Sequence, residues 1–317
     1  MRCTKCSTEL IPGCKFCYRC GERVVEQAKH CPLCQAENPL AAIFCHECGN
    51  HFAAAEACEA TYTPRYVLDF VPDKIRAQLK ALFFRLLLQR LQEEHNAQKH
   101  SQYVQRFYDS RFATIFEART DQLARDVMAL WERSGKAALP QIDDFLENAF
   151  EGLLDYFIIE FCPDLNDVWL PSAMLRYENL APQNMDLQRM VFDFLDFERE
   201  PEVCYTNFAA MPKELLANAC KRFLVAERDE KVFFICDLSL QGNCKEGFAM
   251  TDRAIYWRAP LGRARRVAYE DMHDLRLERD WLIVNGYFFT ANPSLHLKLY
   301  RLLKKLHRWK RQVAVNA

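Results

Sequence analysis

No apolar run in this 317-residue chain is long enough to cross a bilayer. The most hydrophobic stretch, ALFFRLLL at 81–88, falls well short of the roughly 20 residues a spanning helix needs, and Arg85 interrupts it. Glycine is scarce, nine residues in all, and no phosphate-cradling loop is built from it: Ser134-Gly135-Lys136 has the tail of one, but Leu130 stands where the earlier glycine is required and Ala137 follows. G-x-G-x-x-G, G-x-S-x-G and H-E-x-x-H are missing too, which removes the usual signatures of dinucleotide binding, serine hydrolysis and zinc proteolysis. A formal charge of −1 gives no long-range field to gather nucleic acid or anionic lipid, so any such binding must be local. With Cys3 so close to Met1 no secretory leader is expected, and the expected setting is the reducing cytoplasm.

Cysteine, by contrast, is abundant at 15 residues, and it is patterned. Residues 3–21, CTKCSTELIPGCKFCYRCG, align without a gap on residues 31–49, CPLCQAENPLAAIFCHECG. Cys3, Cys6, Cys17 and Cys20 fall on Cys31, Cys34, Cys45 and Cys48, Gly21 falls on Gly49, and Cys14 meets Ala42. The unit is therefore C-x2-C-x10-C-x2-C-G, with Cys14 outside it. A C-x-x-C turn places two sulfurs on one ion while backbone amides point back at them, and a following glycine takes the positive φ the turn demands. Four thiolates saturate a tetrahedral ion and leave no position for water or substrate, so each unit reads as a structural zinc site, two ions per chain. Rubredoxin-like iron and thioredoxin-like redox chemistry are the competitors, and the βαβ context of the latter is absent. A stretch of about 20 residues buries no core of its own, so the metal supplies most of its folding free energy. His30, His46 and His51 are surface residues in this reading. Residues 1–52 resemble the double zinc ribbon found at the N terminus of many bacterial and archaeal proteins.

Ribbons often bind nucleic acid, which makes their charge informative. Residues 2–29 carry Arg2, Lys5, Lys15, Arg19, Arg23 and Lys29 against three glutamates, whereas residues 30–52 hold Glu37 and Glu47 and no lysine or arginine. The second ribbon repels a phosphate backbone. The basic residues of the first serve mainly to balance its thiolates, with Lys15, Arg19 and Arg23 the candidates if nucleic acid is bound.

The expected architecture is multidomain α+β: a first ribbon over 1–29, a second over 30–52, a linker over 53–72, an all-α region over 73–200 and a β domain with a closing helix over 201–312. Asp73 is expected to cap a helix that turns Ile75, Leu79, Leu82, Phe83, Leu86 and Leu87 inward. A second helical stretch runs from Tyr103 to Trp131, broken in the middle and stopped by Gly135; a third follows Pro140 and ends at Cys162-Pro163. Along the third, Asp143, Glu147, Glu151 and Asp155 form one acidic stripe, read as a solvated face unless arginines from neighbouring helices or a partner cover it. His95 and His100 are five apart, wrong for one helix face, and suggest no metal site. A short helix is expected over 186–197.

From about residue 203 the apolar period changes to two. A helix at 212–225 precedes strands near 231–238, 247–251, 254–258, 265–269, 273–278, 281–284 and 287–290; Asn285-Gly286 marks a tight hairpin, and Asn292 caps a last helix with Pro293 in its first turn. GFAMTDRAIYWR, VAYEDM, WLIVNG and NPSLHLKLYRLLKKL resemble the bacterial pleckstrin-homology-like (PH-like) domains. That resemblance implies a curved antiparallel sheet closed by a C-terminal helix and a protein-interaction or lipid-binding role without catalytic groups. On the last helix, Leu295, Leu299, Leu302, Leu303 and Leu306 close the core, while Lys298, Arg301, Lys304, Lys305 and Arg308 offer a face for an acidic partner or, less favoured because the leucines are occupied, an anionic membrane. The functional expectation is a non-catalytic zinc-ribbon adaptor for one or more protein partners, with a nucleic-acid regulator and a membrane-recruited module as alternatives.

Overall fold

The computed structural model describes residues 62–178, 185–278 and 281–315, together with 6, 8, 19, 20, 28–31, 34–39 and 45–48. Two compact units divide the chain at Thr63/Pro64. In the first, β1 (Ala28–His30) and β2 (Glu37–Pro39) pair antiparallel, with His30 opposite Glu37.

The second unit begins with helices. α1 (Pro72–Glu94) starts on Pro72, whose missing N–H costs nothing in a first turn. Its N-cap is Val71 rather than the expected Asp73, which lies inside the first turn and favours the helix through the dipole. α2 (His100–Asp109) and α3 (Phe112–Ser134) are the expected broken pair, parted at Ser110-Arg111, and α3 stops at Gly135. α4 (Leu139–Tyr156) continues as a π-helical turn over Phe157–Phe161. α5 (Leu187–Leu195) is capped by Asp186, whose carboxylate accepts the Arg189 N–H. Aromatic rings centre this bundle: Phe83 has Phe107, Phe112, Phe116 and Phe157 within 6.1 Å, centroid to centroid. Residues 64–70, expected as tether, are packed instead. Tyr66, Leu68 and Phe70 lie against the core, and Phe70 stacks on Trp131 at 4.0 Å.

Beyond residue 200 the chain forms β3 (Val203–Tyr205), α6 (Lys213–Arg222), β4 (Val232–Asp237), β5 (Gly247–Thr251), β6 (Ala254–Arg258), β7 (Arg265–Ala268), β8 (Leu275–Leu277), β9 (Leu282–Val284), β10 (Tyr287–Phe289) and α7 (Pro293–Val315). Strands β3 to β7 make one antiparallel meander and β8 to β10 a second. β3 is the strand the sequence pattern does not announce. The five-stranded sheet is covered on both faces, which explains why VFFIC, 232–236, is apolar throughout instead of alternating with polar residues. Phe234, Phe248 and Trp257 face the large core shared with the helices, while Ile235, Ala249 and Tyr256 face α6. Gly247 is required where β5 passes β4, because a Cβ there would sit 2.3 Å from the Cys236 carbonyl oxygen. Trp257 joins the two sheets by donating its indole N–H to the Phe288 carbonyl at 2.8 Å. Asn285 and Gly286 take φ of 50° and 77° between paired Val284 and Tyr287, the two-residue hairpin expected from Asn-Gly.

Asn292 caps α7 as expected, accepting the Leu295 N–H at 2.8 Å. Leu295, Leu299, Leu302, Leu303 and Leu306 are all fully buried. Pairing of Lys298 with Glu200, 1% and 2% exposed, ties α7 to the chain entering β3, and the same carboxylate accepts from Ser294 and Asn292. A single apolar core therefore runs from α1 through the sheets to α7.

Candidate functional site

The metal-ligand candidates of the second repeat converge. β1 and β2 hold the first knuckle between them: the Cys31 N–H donates to the Ala36 carbonyl at 3.0 Å, and the Gln35 N–H donates to the Cys31 carbonyl at 2.9 Å. Gln35 takes φ of 59°, the left-handed residue that follows a C-x-x-C turn. The second knuckle, Cys45 to Cys48, closes over it, and the four sulfurs lie within 4.8 Å of one another. Cys31 and Cys48 are 3.6 Å apart and Cys34 and Cys45 3.5 Å. A tetrahedron with sulfurs about 2.3 Å from zinc has edges of about 3.8 Å, so this donor set fits zinc in both chemistry and size.

The backbone prepares the thiolates. The N–H groups of Cys48 and Glu47 and the Asn38 amide, outweighing desolvation, pull the Cys45 thiol down to about 6. At Cys34 the Ala36 N–H acts in the same sense, but the thiols of Cys48, Cys45 and Cys31 push it up to about 12. Four sulfhydryls this close cannot all ionise without a cation among them.

Asn38, 1% exposed, is a functional residue the sequence reading missed. Its amide donates to the Ala36 carbonyl at 2.7 Å and to Cys45 Sγ at 3.5 Å; its oxygen accepts the His46 N–H at 3.0 Å and faces His46 Nδ1 at 2.9 Å. One side chain thus locks the two knuckles together, and its only signal in the sequence is an asparagine within a four-cysteine repeat. Asn38→Ala is expected to weaken zinc binding about 10–100-fold, measured by competition with a chromogenic chelator. His46 is exposed and supports Asn38, and it does not join the cluster of four sulfurs.

In the first repeat, Cys6 lies beside Thr8, with Sγ to Oγ1 at 3.2 Å, and Arg19 reaches the same hydroxyl at 3.5 Å. Cys20 is half-buried. Cys3, Cys17, Lys15 and Arg23 lie outside the described residues.

The basic candidates of α7 are placed otherwise than expected: they do not form a free face. Arg301, Lys304 and Arg308 meet the acidic stripe of α4 and the end of α1 in one charged seam. Arg301, 5% exposed, donates to Glu94 Oε2 at 2.7 Å through Nε and to Asp155 at 3.2 Å. Arg90 reaches Asp155 at 2.7 Å, Glu151 at 3.0 Å and Glu94 at 3.4 Å. Arg308 grips Glu151 with both amino groups and Glu147 at 3.3 Å, and Lys304 stands 3.9 Å from Glu151. The Asp143 carboxylate is buried and accepts the backbone N–H groups of Arg65 and Tyr66, while the Arg65 side chain pairs with Glu147. Lys305 is half-buried toward the Glu178 carbonyl. Arg65, Arg90, Arg301, Lys304 and Arg308 thus share the carboxylates of Glu94, Asp144, Glu147, Glu151 and Asp155, while Asp143 is held by backbone N–H groups. Of the candidates on this helix, Lys298, Arg301, Lys304 and Arg308 each stand within 4 Å of a carboxylate of the same unit, and Lys305 reaches the Glu178 carbonyl. Arg90, Glu94 and Glu200 were not singled out from sequence, although Arg90 and Glu94 carry the i, i+4 spacing of an ion pair.

A four-thiol ribbon centre defines the class of the N-terminal unit, and the double zinc ribbon family model matches residues 3–51. No curated protein and no solved structure matches the chain. Among the described residues, no helix is long and apolar enough to cross a membrane.

Proposed function

We propose that the chain is a non-catalytic zinc-ribbon adaptor of the cytoplasm, loaded with two zinc ions and joining protein partners. The observation that carries this reading is the closed cluster of Cys31, Cys34, Cys45 and Cys48, in which every ligand position is a protein sulfur. Such a centre shapes a small surface and offers no site for a reacting group. The strand order β4 to β7, then β8 to β10, then α7 supports a pleckstrin-homology-like reading of the C-terminal part, with β3 and α6 as additions.

For the second docking surface the same unit supplies a candidate. The β4–β5 and β6–β7 loops lie at one end of the meander and border a common cavity of about 500 Å³, and each projects a leucine, Leu240 and Leu261, with 101% and 102% exposure. The charged groups on the cavity wall are Glu202 and Asp237, so the two exposed leucines suit a partner that brings an apolar pocket with a basic rim. Native-lysate co-purification tests the reading: the wild type is expected to carry a stoichiometric protein partner that the Leu240→Asp/Leu261→Asp variant releases with no loss of thermal stability. A chain that stays alone and turns over a substrate sinks the proposal. Binding that collapses with salt and with neutralisation of Lys15, Arg19 and Arg23 would favour nucleic acid instead.

A further inference from the structure

Two cysteines stand directly opposite each other across the first ladder of the five-stranded sheet: Cys204 on β3 faces Cys236 on β4, between the pairs Val203–Asp237 and Tyr205–Ile235. Residues opposed in this way carry their side chains on one face of a sheet. Here both pack on the core shared with the helices, while Tyr205 and Ile235 pack toward α6. The ladder also sets their spacing. Leu238 donates to the opposite Glu246 carbonyl at 3.1 Å, so by alternation the Cys236 N–H and C=O turn toward β5. Toward β3, Cys236 thus forms a non-hydrogen-bonded pair, the kind whose Cα atoms approach to about 4.5 Å and whose side chains lie closest. A disulfide spans Cα separations of about 4.4–6.8 Å, so the two sulfurs can join without backbone movement.

Access to the pair is one-sided. Cys204 is half-buried on the edge strand, whereas Cys236 is 0% exposed, so an oxidant meets Cys204 first and Cys236 is the thiol held behind it. Cys244, the other cysteine close to β4 in sequence, packs in the α6 cluster on the opposite face. Burial pushes the Cys204 thiol up to about 12, and Cys236 up further. Because the thiolate is the reacting form, the first step is slow at neutral pH and answers to sustained oxidation.

We propose that Cys204 and Cys236 are a modification site for hydrogen peroxide, which closes them into a cross-strand disulfide. The Cys204 sulfur attacks a peroxide oxygen; the O–O bond breaks, one water leaves and a sulfenic acid remains. The Cys236 sulfur then attacks the sulfenic sulfur, the S–O bond breaks and a second water leaves. The two thiols give up two electrons and two protons, and the peroxide is reduced to two waters. The link fastens β3, an edge strand of three residues, to β4. With it goes the segment entering β3, whose Glu200 and Glu202 hold Lys298, Ser294 and Asn292 at the start of α7. The loop so closed contains α6.

Prolonged treatment of the full chain with hydrogen peroxide, followed by mapping of its tryptic fragments under non-reducing conditions, tests the assignment. The expected product joins 200–213 to 232–245 with the loss of two hydrogens, and fragmentation places the link at Cys236 and not at Cys244. Dithiothreitol is expected to reverse it. The oxidised 64–317 unit is expected to melt about 5–10 °C higher, while Cys204→Ser keeps the untreated melting temperature and shows no such rise. Cys204 recovered as a thiol or a sulfinic acid, a link from it to any other cysteine, or an equal rise in Cys204→Ser would each overturn the proposal. None of these results depends on the adaptor reading.

Discussion

Replacing Glu94 with alanine is expected to destabilise the 64–317 unit by about 3–5 kcal/mol, the usual cost of stranding one member of a buried ion pair. For a unit of this size that corresponds to a fall of roughly 6–20 °C in the melting temperature, read by differential scanning calorimetry. The magnitude follows from burial. Glu94 and Arg301 are 0% and 5% exposed at their side chains, so neither recovers hydration when the other is removed. The double replacement Glu94→Met/Arg301→Met is expected to recover most of the loss, because apolar side chains of similar size avoid the desolvation both charges incur. A small effect of the single substitution would mean that the seam admits water.

The same pair sets an acid limit. Burial acts to raise the Glu94 carboxyl, but Arg301 and Arg90 outweigh it and hold it down at about 2. A carboxyl depressed below its unfolded value, about 4.3, contributes stability that is present above that pH and lost as the pH falls toward 2. Glu178 works in the opposite sense: burial pushes it up to about 8, so its ionisation weakens the fold as pH rises from about 4.3 to 8. Acid unfolding between about pH 4 and 2 should therefore be blunted in Glu94→Gln, measured by circular dichroism against the wild type.

Cys45→Ser is expected to empty the second ribbon of metal while the first stays loaded, halving the zinc content from two ions to one by elemental analysis. Structural zinc contributes about 10–16 kcal/mol of apparent binding free energy in peptides of this kind, far more than a ribbon of some 20 residues gains from apolar burial. Amide protection across β1 and β2 should vanish with the metal, since Cys31 and Cys34 sit in the turn joining those strands. Cys14→Ser should leave both ions in place; equal loss from it would overturn the register in which Cys17 and Cys20 pair with Cys3 and Cys6.

Much of the local structure is legible before folding. Asn-Gly, Pro-Lys-Glu, Asn-Pro and the period-two runs of the last third place β4 to β10, α6 and α7 within a few residues, because these signals act through the backbone of their own neighbourhood. Less legible were the segment 64–70 and strand β3. Neither carries an internal pattern, and both are ordered by what they touch: Tyr66 and Phe70 by the helical core, β3 by the free edge of β4.

The sequence by itself picked out Cys31, Cys34, Cys45 and Cys48, which the fold brings within 4.8 Å of one another, since four thiols at this spacing suit one tetrahedral ion and a second copy of the repeat sets their register. It also determined the leucine stripe of α7 and the acidic stripe of α4. Only the tertiary structure decided what those charges do. Lys298, Arg301, Lys304 and Arg308 read as an open basic face until α1 and α4 bring Glu94, Glu147, Glu151 and Asp155 against them and Glu200 closes on Lys298. The physical reason is separation along the chain. Arg301 and Glu94 are 207 residues apart, and a charge carries no mark of the partner it will meet.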